Sequence, residues 1–310
     1  MIQTHKQFWT EWAEDYRGFS EMIEPYRDAQ RDLARAAVAA LGDGAQCESL
    51  VIIDVGGGTG NIIRPLLDAL VARRGHLKKV TYILTDTTEA MEQVSNKRLE
   101  ILGQSYPDVV FRVLDANTLD DDFTGRIGEC IGDVVINSWN IEYYLPAQRQ
   151  KIVNQLVGLA CQDGVVAFSS MVRLPRGVTV RKVLMPLGRA QVVHALLTGG
   201  LGAMTKVITS LNKIAQFGAA ASSADFPEKP TLAELLELAK QAGLTSVWNE
   251  YHLCGVSTMV VGRKDGTAFP VPLLPQPAIA KALADSEGYA DYPETVTFRS
   301  YLAMLRERGA

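Results

Sequence analysis

A doubly wound α/β fold on a mostly parallel sheet is the architecture this sequence predicts, and three features predict it. Short apolar runs alternate with helical segments from residue 49 to 172, and the first run ends in a glycine-rich turn, "VIIDVGGGTGN" (51–61). After a long apolar insert, the pattern resumes with one helix and two β-branched runs (231–263).

Residues 5–17 and 20–41 read as two helices. The second carries Ile23, Tyr26, Ala29, Leu33, Ala37 and Leu41 at three-to-four spacing, with Gly42 as its stop. "SLVIIDV" (49–55) is then a buried strand, "NIIRPLLDALVARR" (61–74) a helix, "KVTYILTD" (79–86) a strand and "EAMEQVSNKRLEIL" (89–102) a helix. "DVVFRVLDA" (108–116), "GDVVINSW" (132–139) and "GVVAFSSMV" (164–172) give three more strands, with the helix "PAQRQKIVNQLVGLA" (146–160) before the last. Residues 176–218 are apolar and punctuated by glycine, which predicts two or three helices broken near Pro186 and Gly199-Gly200. Thr231 and Glu234 form a capping box that opens a helix over 231–243. "SVWNEYHL" and "VSTMVVGR", joined by "CG", form a hairpin, and "FPVPLLPQP" (269–277) links to a last helix near 294–308. The domain organisation expected is a helical cap over 1–45, a central domain over 46–265 with a helical lid at 176–230, and a linker and arm over 266–310.

Composition narrows the partners. With 31 basic and 35 acidic residues the formal charge is -4, so no overall basic field draws nucleic acid or an anionic membrane, although a local patch remains allowed. The amino terminus, "MIQTHKQFWTEWAEDYRG", is charged and aromatic where a secretory signal is apolar, and no stretch reads as an uncharged span, so a cytoplasmic protein is expected. Cys47, Cys130, Cys161 and Cys254 show no CxxC pair, which suggests buried small residues and neither a disulfide framework nor a metal site.

The glycine loop carries the chemistry. Four glycines in five positions (56–60) follow Asp54 at a strand's carboxyl end, where open α/β sheets bind ligands. Unpaired backbone amides and a sharp turn are expected there. The dinucleotide fingerprint would need its third glycine at 61, which is Asn, and a phosphate loop would need Gly-Lys-Ser or Gly-Lys-Thr. An acid at the strand tip repels a pyrophosphate and suits an ammonium group, so a zwitterionic nucleoside fits better than NAD.

"DVGGGTG" has the acid-x-G-x-G-x-G form of the first motif of class I S-adenosylmethionine-dependent methyltransferases, and the chain resembles that family over about residues 49–172 and 231–263. The resemblance implies a Rossmann-like sheet of seven strands with an antiparallel last strand, and S-adenosylmethionine as cofactor. It implies that Asp54, Gly56, Gly58 and Gly60 hold the amino acid end, that Asp86 with Thr87 binds the ribose hydroxyls, and that Asp115 with Ala116 faces the adenine. "INSWNIEYYLP" is similar to the family's segment that opens toward the cofactor, making Asn137 a further contact.

Aromatic faces stabilise a sulfonium cation. Trp139, Tyr143 and Tyr144 are candidates at the mouth, and Tyr16 and Tyr26 on the leading helices, because family members often close the site with that segment. Trp139, Asn140, Tyr144 and His194 are the candidates nearest the chemistry. The insert, with Val183, Leu184, Met185, Leu187, Val192, Val193, Leu196 and Leu197, is expected to line a pocket for an apolar substrate or to bury a homodimer interface. Methyl transfer to a small molecule of secondary metabolism is the expected activity. The rivals are attack on the cofactor's aminocarboxypropyl carbon, which releases methylthioadenosine, and binding of the cofactor without turnover.

Overall fold

The computed structural model describes residues 3–22, 24–42, 47–129, 131–173, 180–223, 226–252, 256–269 and 273. The hairpin turn at 253–255, Cys130, Cys254, the rest of the proline-rich linker and the terminal helix lie outside them.

The chain opens with helices α1 (Gln3–Met22) and α2 (Glu24–Leu41), then β1 (Leu50–Val55), α3 (Ile63–Arg74), β2 (Val80–Asp86), α4 (Glu89–Ser105) and β3 (Val109–Asp115). A short α5 (Phe123–Ile127) precedes β4 (Gly132–Ser138), a 3-10 turn (Ile141–Tyr143), α6 (Pro146–Leu159) and β5 (Ala160–Met171). Then come α7 (Val180–Ser223), α8 (Leu232–Gln241), β6 (Ser246–His252) and β7 (Ser257–Arg263). The seven strands form one sheet in the order β3-β2-β1-β4-β5-β7-β6, parallel except for β7, which runs antiparallel to both neighbours. This is the Rossmann-like arrangement with an antiparallel last strand.

Both faces of the sheet are covered, which is why the strands read as unbroken apolar runs. Along β1, Leu50 and Ile52 enter one core with Leu33, Ala37 and Leu41 of α2 and Leu66, Leu67 and Leu70 of α3. Ile53 and Val55 enter the other, with Ile152, Val153 and Leu156 of α6 and Leu235 and Ala239 of α8. Each such side chain contributes roughly 1.5 to 3 kcal/mol on burial, so a one-residue slip of β1 would forfeit several at once. The parallel ladder puts Asp54 level with Leu84, and Asp86 level with Asp115, at the carboxyl edge.

Local differences from expectation have physical causes. The first helix runs through Gly18 to Met22, because Phe8, Trp9 and Ala13 bury its face and outweigh one glycine's propensity cost. Pro186 sits inside α7 without ending it; the break comes at Gly200 alone, whose φ is 68°. The capping box at Thr231 is half used: Thr231 Oγ1 accepts from the Glu234 amide at 3.1 Å, but Glu234 turns its carboxylate to Arg149 of α6 at 2.7 Å. Cys47 is exposed rather than buried.

The insert differs most. Leu187, Ala190, Ala195 and Val207 of α7 are buried, whereas Leu196, Leu197, Leu201 and Ile208 are exposed, up to 70% for Leu201. The side chains of Val183 and Leu184 lie outside the described residues. Met185–Ala220 is long and apolar enough to cross a membrane by length and composition. The sequence reading found no uncharged span; this stretch carries three charges, Arg189, Lys206 and Lys213, spread too thinly to lower its mean hydropathy below that of a span.

Candidate functional site

At the tip of β1 the backbone passes through Gly56 (φ 63°) and Gly58 (φ 54°), left-handed conformations that strain any residue with a side chain. A Cβ on Gly56 would also stand 2.7 Å from the Asn140 side chain. The loop's amides are not free, contrary to expectation. The Gly56 amide donates to Thr85 Oγ1 (3.3 Å), Gly57 to the Thr85 carbonyl (3.0 Å), Gly58 to Asp86 Oδ2 (3.0 Å) and Gly60 to the Gly57 carbonyl (2.9 Å). The neighbouring strand tip takes these donors because β2 ends level with the turn. What the loop offers a ligand is a surface without side chains.

Asp86 joins three elements. Its Oδ2 accepts from Gly58, and its Oδ1 accepts from the amides of Thr87 and Thr88 at 2.8 Å each, tying β2 to the start of α4. Burial pushes its carboxyl up, and the amides of Thr88, Gly58 and Thr87 pull it back. Beneath the loop, Asp54 is fully buried. Its Oδ2 accepts from the Tyr82 hydroxyl at 2.9 Å and its Oδ1 has no partner. Burial raises this carboxyl to about 7, the Tyr82 hydrogen bond opposes the rise, and the charge of Asp86 adds to it. A buried carboxylate oxygen without a donor is costly. It suits a ligand that brings a cation.

A cavity of about 540 Å³, counting its open mouth, stands over this floor, lined by Gly56 to Thr59, Asn61, Asp86, Thr88 and Met91. Ser138, Trp139, Asn140 and Tyr143 form a second side, and Trp9, Tyr16, Tyr26 and Gln30 of the leading helices a third. The last two sides are one aromatic wall. Trp9 meets Tyr16 and Tyr143 edge-on at 5.3 and 5.0 Å, and Tyr26 lies 4.3 Å from Trp139. Phe217 of α7 backs Trp9 and Tyr16, both at 5.7 Å. Trp139 has a φ of 49°, uncommon for a bulky residue, and its indole donates to Ser257 Oγ at 2.6 Å. Strain of this kind collects where a side chain must be aimed.

Tyr16 and Tyr26 share a hydrogen bond of 2.6 Å; Asn61 donates to Tyr26 at 3.2 Å and accepts from Arg98 at 2.6 Å. Burial pushes the phenols of Tyr16, Tyr26 and Tyr143 up, so all three stay protonated at neutral pH. Gln30 exchanges hydrogen bonds with Ser138 at 2.9 and 3.1 Å, pinning α2 to the end of β4.

Several expected residues are placed elsewhere. Tyr144 turns into the core, with its hydroxyl 2.9 Å from that of Thr118. Asn137 is fully buried and donates to the Val55 carbonyl at 2.7 Å, so it fixes the β1 tip rather than lining the cavity. Asp115 is exposed at the end of β3; Ala116 is buried, with its amide on the Asp86 carbonyl at 3.2 Å. Gly60 and Thr87 lie behind the lining. His194 sits on α7, and no residue of α7 lines this cavity. Trp9, Gln30, Asn61, Met91 and Ser138 were not singled out from the sequence. For Trp9 the "FWTEW" run was a usable signal; the others become visible only when the helices are docked.

No protein-family model matches the chain, and no curated protein matches it by sequence. Among solved structures it is similar to PigF with SAH at 15% identity, covering 69% of this chain and 50% of that one, with a TM-score of 0.44. It is similar to the DszA carbon methyltransferase at 16%, covering 71% and 48%, with 0.43. An O-methyltransferase family protein from Burkholderia thailandensis matches at 16%, covering 85% and 71%, with 0.46. The chain spans about half the length of the first two. At these identities and scores the likeness adds nothing to the architecture already described, and the reading of the site rests on its own residues.

Proposed function

We propose that the chain is an S-adenosylmethionine-dependent methyltransferase acting on a small molecule. The observation that carries this reading is the pairing, in one cavity, of a side-chain-free glycine floor tied to Asp86 with a wall of aromatic faces. The unpartnered Asp54 Oδ1 supports it, because an ammonium group there would relieve a buried charge. Bound in this cavity, the cofactor supplies an electrophilic methyl on a sulfonium.

The chain's own part is binding, orientation and exclusion of water. Gly56 and Gly58 let the ligand approach backbone closely, and Asp54, buried beneath Gly57 and outside the lining, attracts its ammonium through the loop rather than by contact. An ionised carboxylate has about four acceptor sites. Three of Asp86's are taken by amides, so Oδ2 keeps one for a ribose hydroxyl. Trp9, Tyr16, Tyr26, Trp139 and Tyr143 face the cation, each worth roughly 0.5 to 2 kcal/mol. Asn140, against Gly56, is placed to orient the acceptor. Alignment of two bound reactants supplies roughly 7 to 11 kcal/mol, so no nucleophilic side chain is needed.

The lining also constrains the acceptor. Among the described residues lining the cavity, Asp86 is the one carboxyl group, and three of its acceptor positions are taken by amides. The acceptor therefore arrives already nucleophilic, as an amine, an enolate or an anionic oxygen. Incubation with S-adenosylmethionine and pools of such acceptors, read by mass spectrometry, tests the reading. S-adenosylhomocysteine and a product heavier by one methylene are expected. Methylthioadenosine in their place would move the reaction to the aminocarboxypropyl carbon, and tight binding without any product would make the chain a cofactor-binding protein.

A further inference from the structure

Of the ten exposed large apolar side chains among the described residues, five stand on α7: Met185, Leu196, Leu197, Leu201 and Ile208. This helix is a hairpin rather than one rod. Gly200, with φ 68° and ψ -164°, reverses the chain, and Gly188 on the first arm packs against Leu211 on the second, where an added Cβ would meet both Cδ atoms at 3.3 Å. In a straight helix those two residues would stand about 34 Å apart. The turn itself is tight, since a Cβ on Gly199 would lie 2.6 Å from that of Ala203. Glycine is what lets the two arms close there.

The base of the hairpin is anchored on α1. Phe217 lies 5.2 Å from Phe8 and 5.5 Å from Trp12, and Lys213 pairs with Asp15. The other end projects. At 1.5 Å per residue, Gly200 stands about 20 Å along the second arm from Lys213. Every residue from Leu196 to Gly202 is exposed, Leu197 by 61% and Leu201 by 70%. A core helix of such composition would be mostly buried, yet only 11% of this apolar stretch is. Ala195 and Val207 are the buried residues nearest the turn, which leaves an apolar tip roughly 7 Å tall. That matches the depth, roughly 5 to 10 Å, to which amphipathic helices lodge between lipid headgroups and acyl chains.

Charge points the same way. From Ala190 to Thr205 the hairpin has no Asp, Glu, Lys or Arg, and the whole helix holds five basic residues and no acidic one. Arg189 and Lys206, both exposed, are the first charges on either side of the turn. Long basic side chains lay their stems along apolar surface and keep their heads among polar groups. We propose that the tip of this hairpin docks the protein on an anionic lipid bilayer, entering the interface without crossing it. The lower parts of both arms are committed to the protein through Leu187, Ala190 and Phe217, so the tip alone reaches lipid. The formal charge of -4 on the whole chain does not oppose this, because charges beyond about 8 Å are screened at physiological ionic strength. A second copy of the chain is a poorer cover: seven exposed residues at a convex end fall short of the roughly 20 to 30 a side of a stable protein interface. The docking stands apart from the methyltransferase reading.

Co-sedimentation of the full chain with vesicles tests it, using phosphatidylglycerol and phosphatidylcholine in equal parts in one arm and phosphatidylcholine alone in the other. The Leu197→Gln/Leu201→Gln and Lys206→Gln proteins are run beside it. All three positions are exposed, so both variants keep their fold, as their melting curves will report. The full chain should bind the anionic vesicles, and about tenfold more weakly the neutral ones. Loss of the two leucines should weaken binding to anionic vesicles at least about tenfold. Loss of Lys206 should weaken it about fivefold on anionic vesicles and leave neutral ones unchanged. No binding to either vesicle, or equal binding by the leucine variant, overturns the proposal. Equal binding to the two vesicles keeps the tip in lipid and overturns the part given to charge. Lipid-free protein is also examined by sedimentation equilibrium. A dimer there that the leucine variant dissociates assigns the tip to a second copy, and overturns lipid docking.

Discussion

The two walls of the cavity are built on different principles. The floor belongs to the sheet: Gly56 to Gly58, Asp54 and Asp86 stand at the ends of adjacent parallel strands whose positions are set by a ladder from Leu50↔Val80 to Val55↔Thr85. The facing wall belongs to helices: Trp9, Tyr16 and Tyr26 reach Trp139 and Tyr143 across more than a hundred residues of chain. Hydrogen bonds at fixed register hold the floor, whereas ring contacts and one pair of phenols hold the wall. A floor of this kind loses function when one polar atom is removed. The wall yields more gradually, since each ring carries only part of the contact.

The largest expected effect breaks the floor. Asp86→Ala leaves the amides of Gly58, Thr87 and Thr88 without their acceptor, and should cost about 1 to 3 kcal/mol of stability and about a hundredfold in S-adenosylhomocysteine affinity, read by melting and calorimetry.

Next comes the pH dependence at Asp54. Its folded carboxyl titrates at about 7, above the ordinary value, so the folded state holds a proton that the unfolded chain has released. Stability of the ligand-free protein should therefore fall as pH rises from about 4 to about 7, and Asp54→Asn should remove that part of the slope. Cofactor affinity should run the opposite way, rising by up to about tenfold per unit to about pH 7 and then levelling, because the ammonium binds the ionised form. An affinity flat from pH 5.5 to 8 would detach Asp54 from the ligand.

Trp9→Ala probes the wall. It should weaken S-adenosylhomocysteine about fivefold and speed amide exchange in α1, with exchange in β1 and β2 unchanged. A loss as large as that of Asp86→Ala would erase the distinction between the walls. The smallest effect is expected at Asp115→Ala. This acid lies level with Asp86 on the sheet edge but is exposed and outside the cavity lining, and the change in affinity should stay within about twofold.

This contrast also governs what the sequence could convey. The floor was legible, because "VIIDVGGGTG" states in ten consecutive residues both the buried strand and the turn. Asp86 was legible as the last residue of the next apolar run. What the loop's amides bond to was not, since Gly58 and Asp86 are 28 residues apart and meet only after pairing. Asn137 and Tyr144 share their short segment with Trp139 and Asn140, yet only the last two line the cavity, and the positive φ at Trp139 that breaks the strand's alternation there has no signature in the sequence. The apolar composition of the insert suggested a pocket or a homodimer interface; in the fold it packs along α1 and leaves Leu197 and Leu201 exposed.

The central claim is that a sulfonium nucleoside lies between the glycine floor and the aromatic wall. A crystal structure of the chain with S-adenosylhomocysteine tests it most directly. The account predicts the ligand against Gly56 and Gly58, with a ribose hydroxyl on Asp86 Oδ2 and its ammonium toward Asp54. A ligand held elsewhere, or one that leaves both acids untouched, would contradict it.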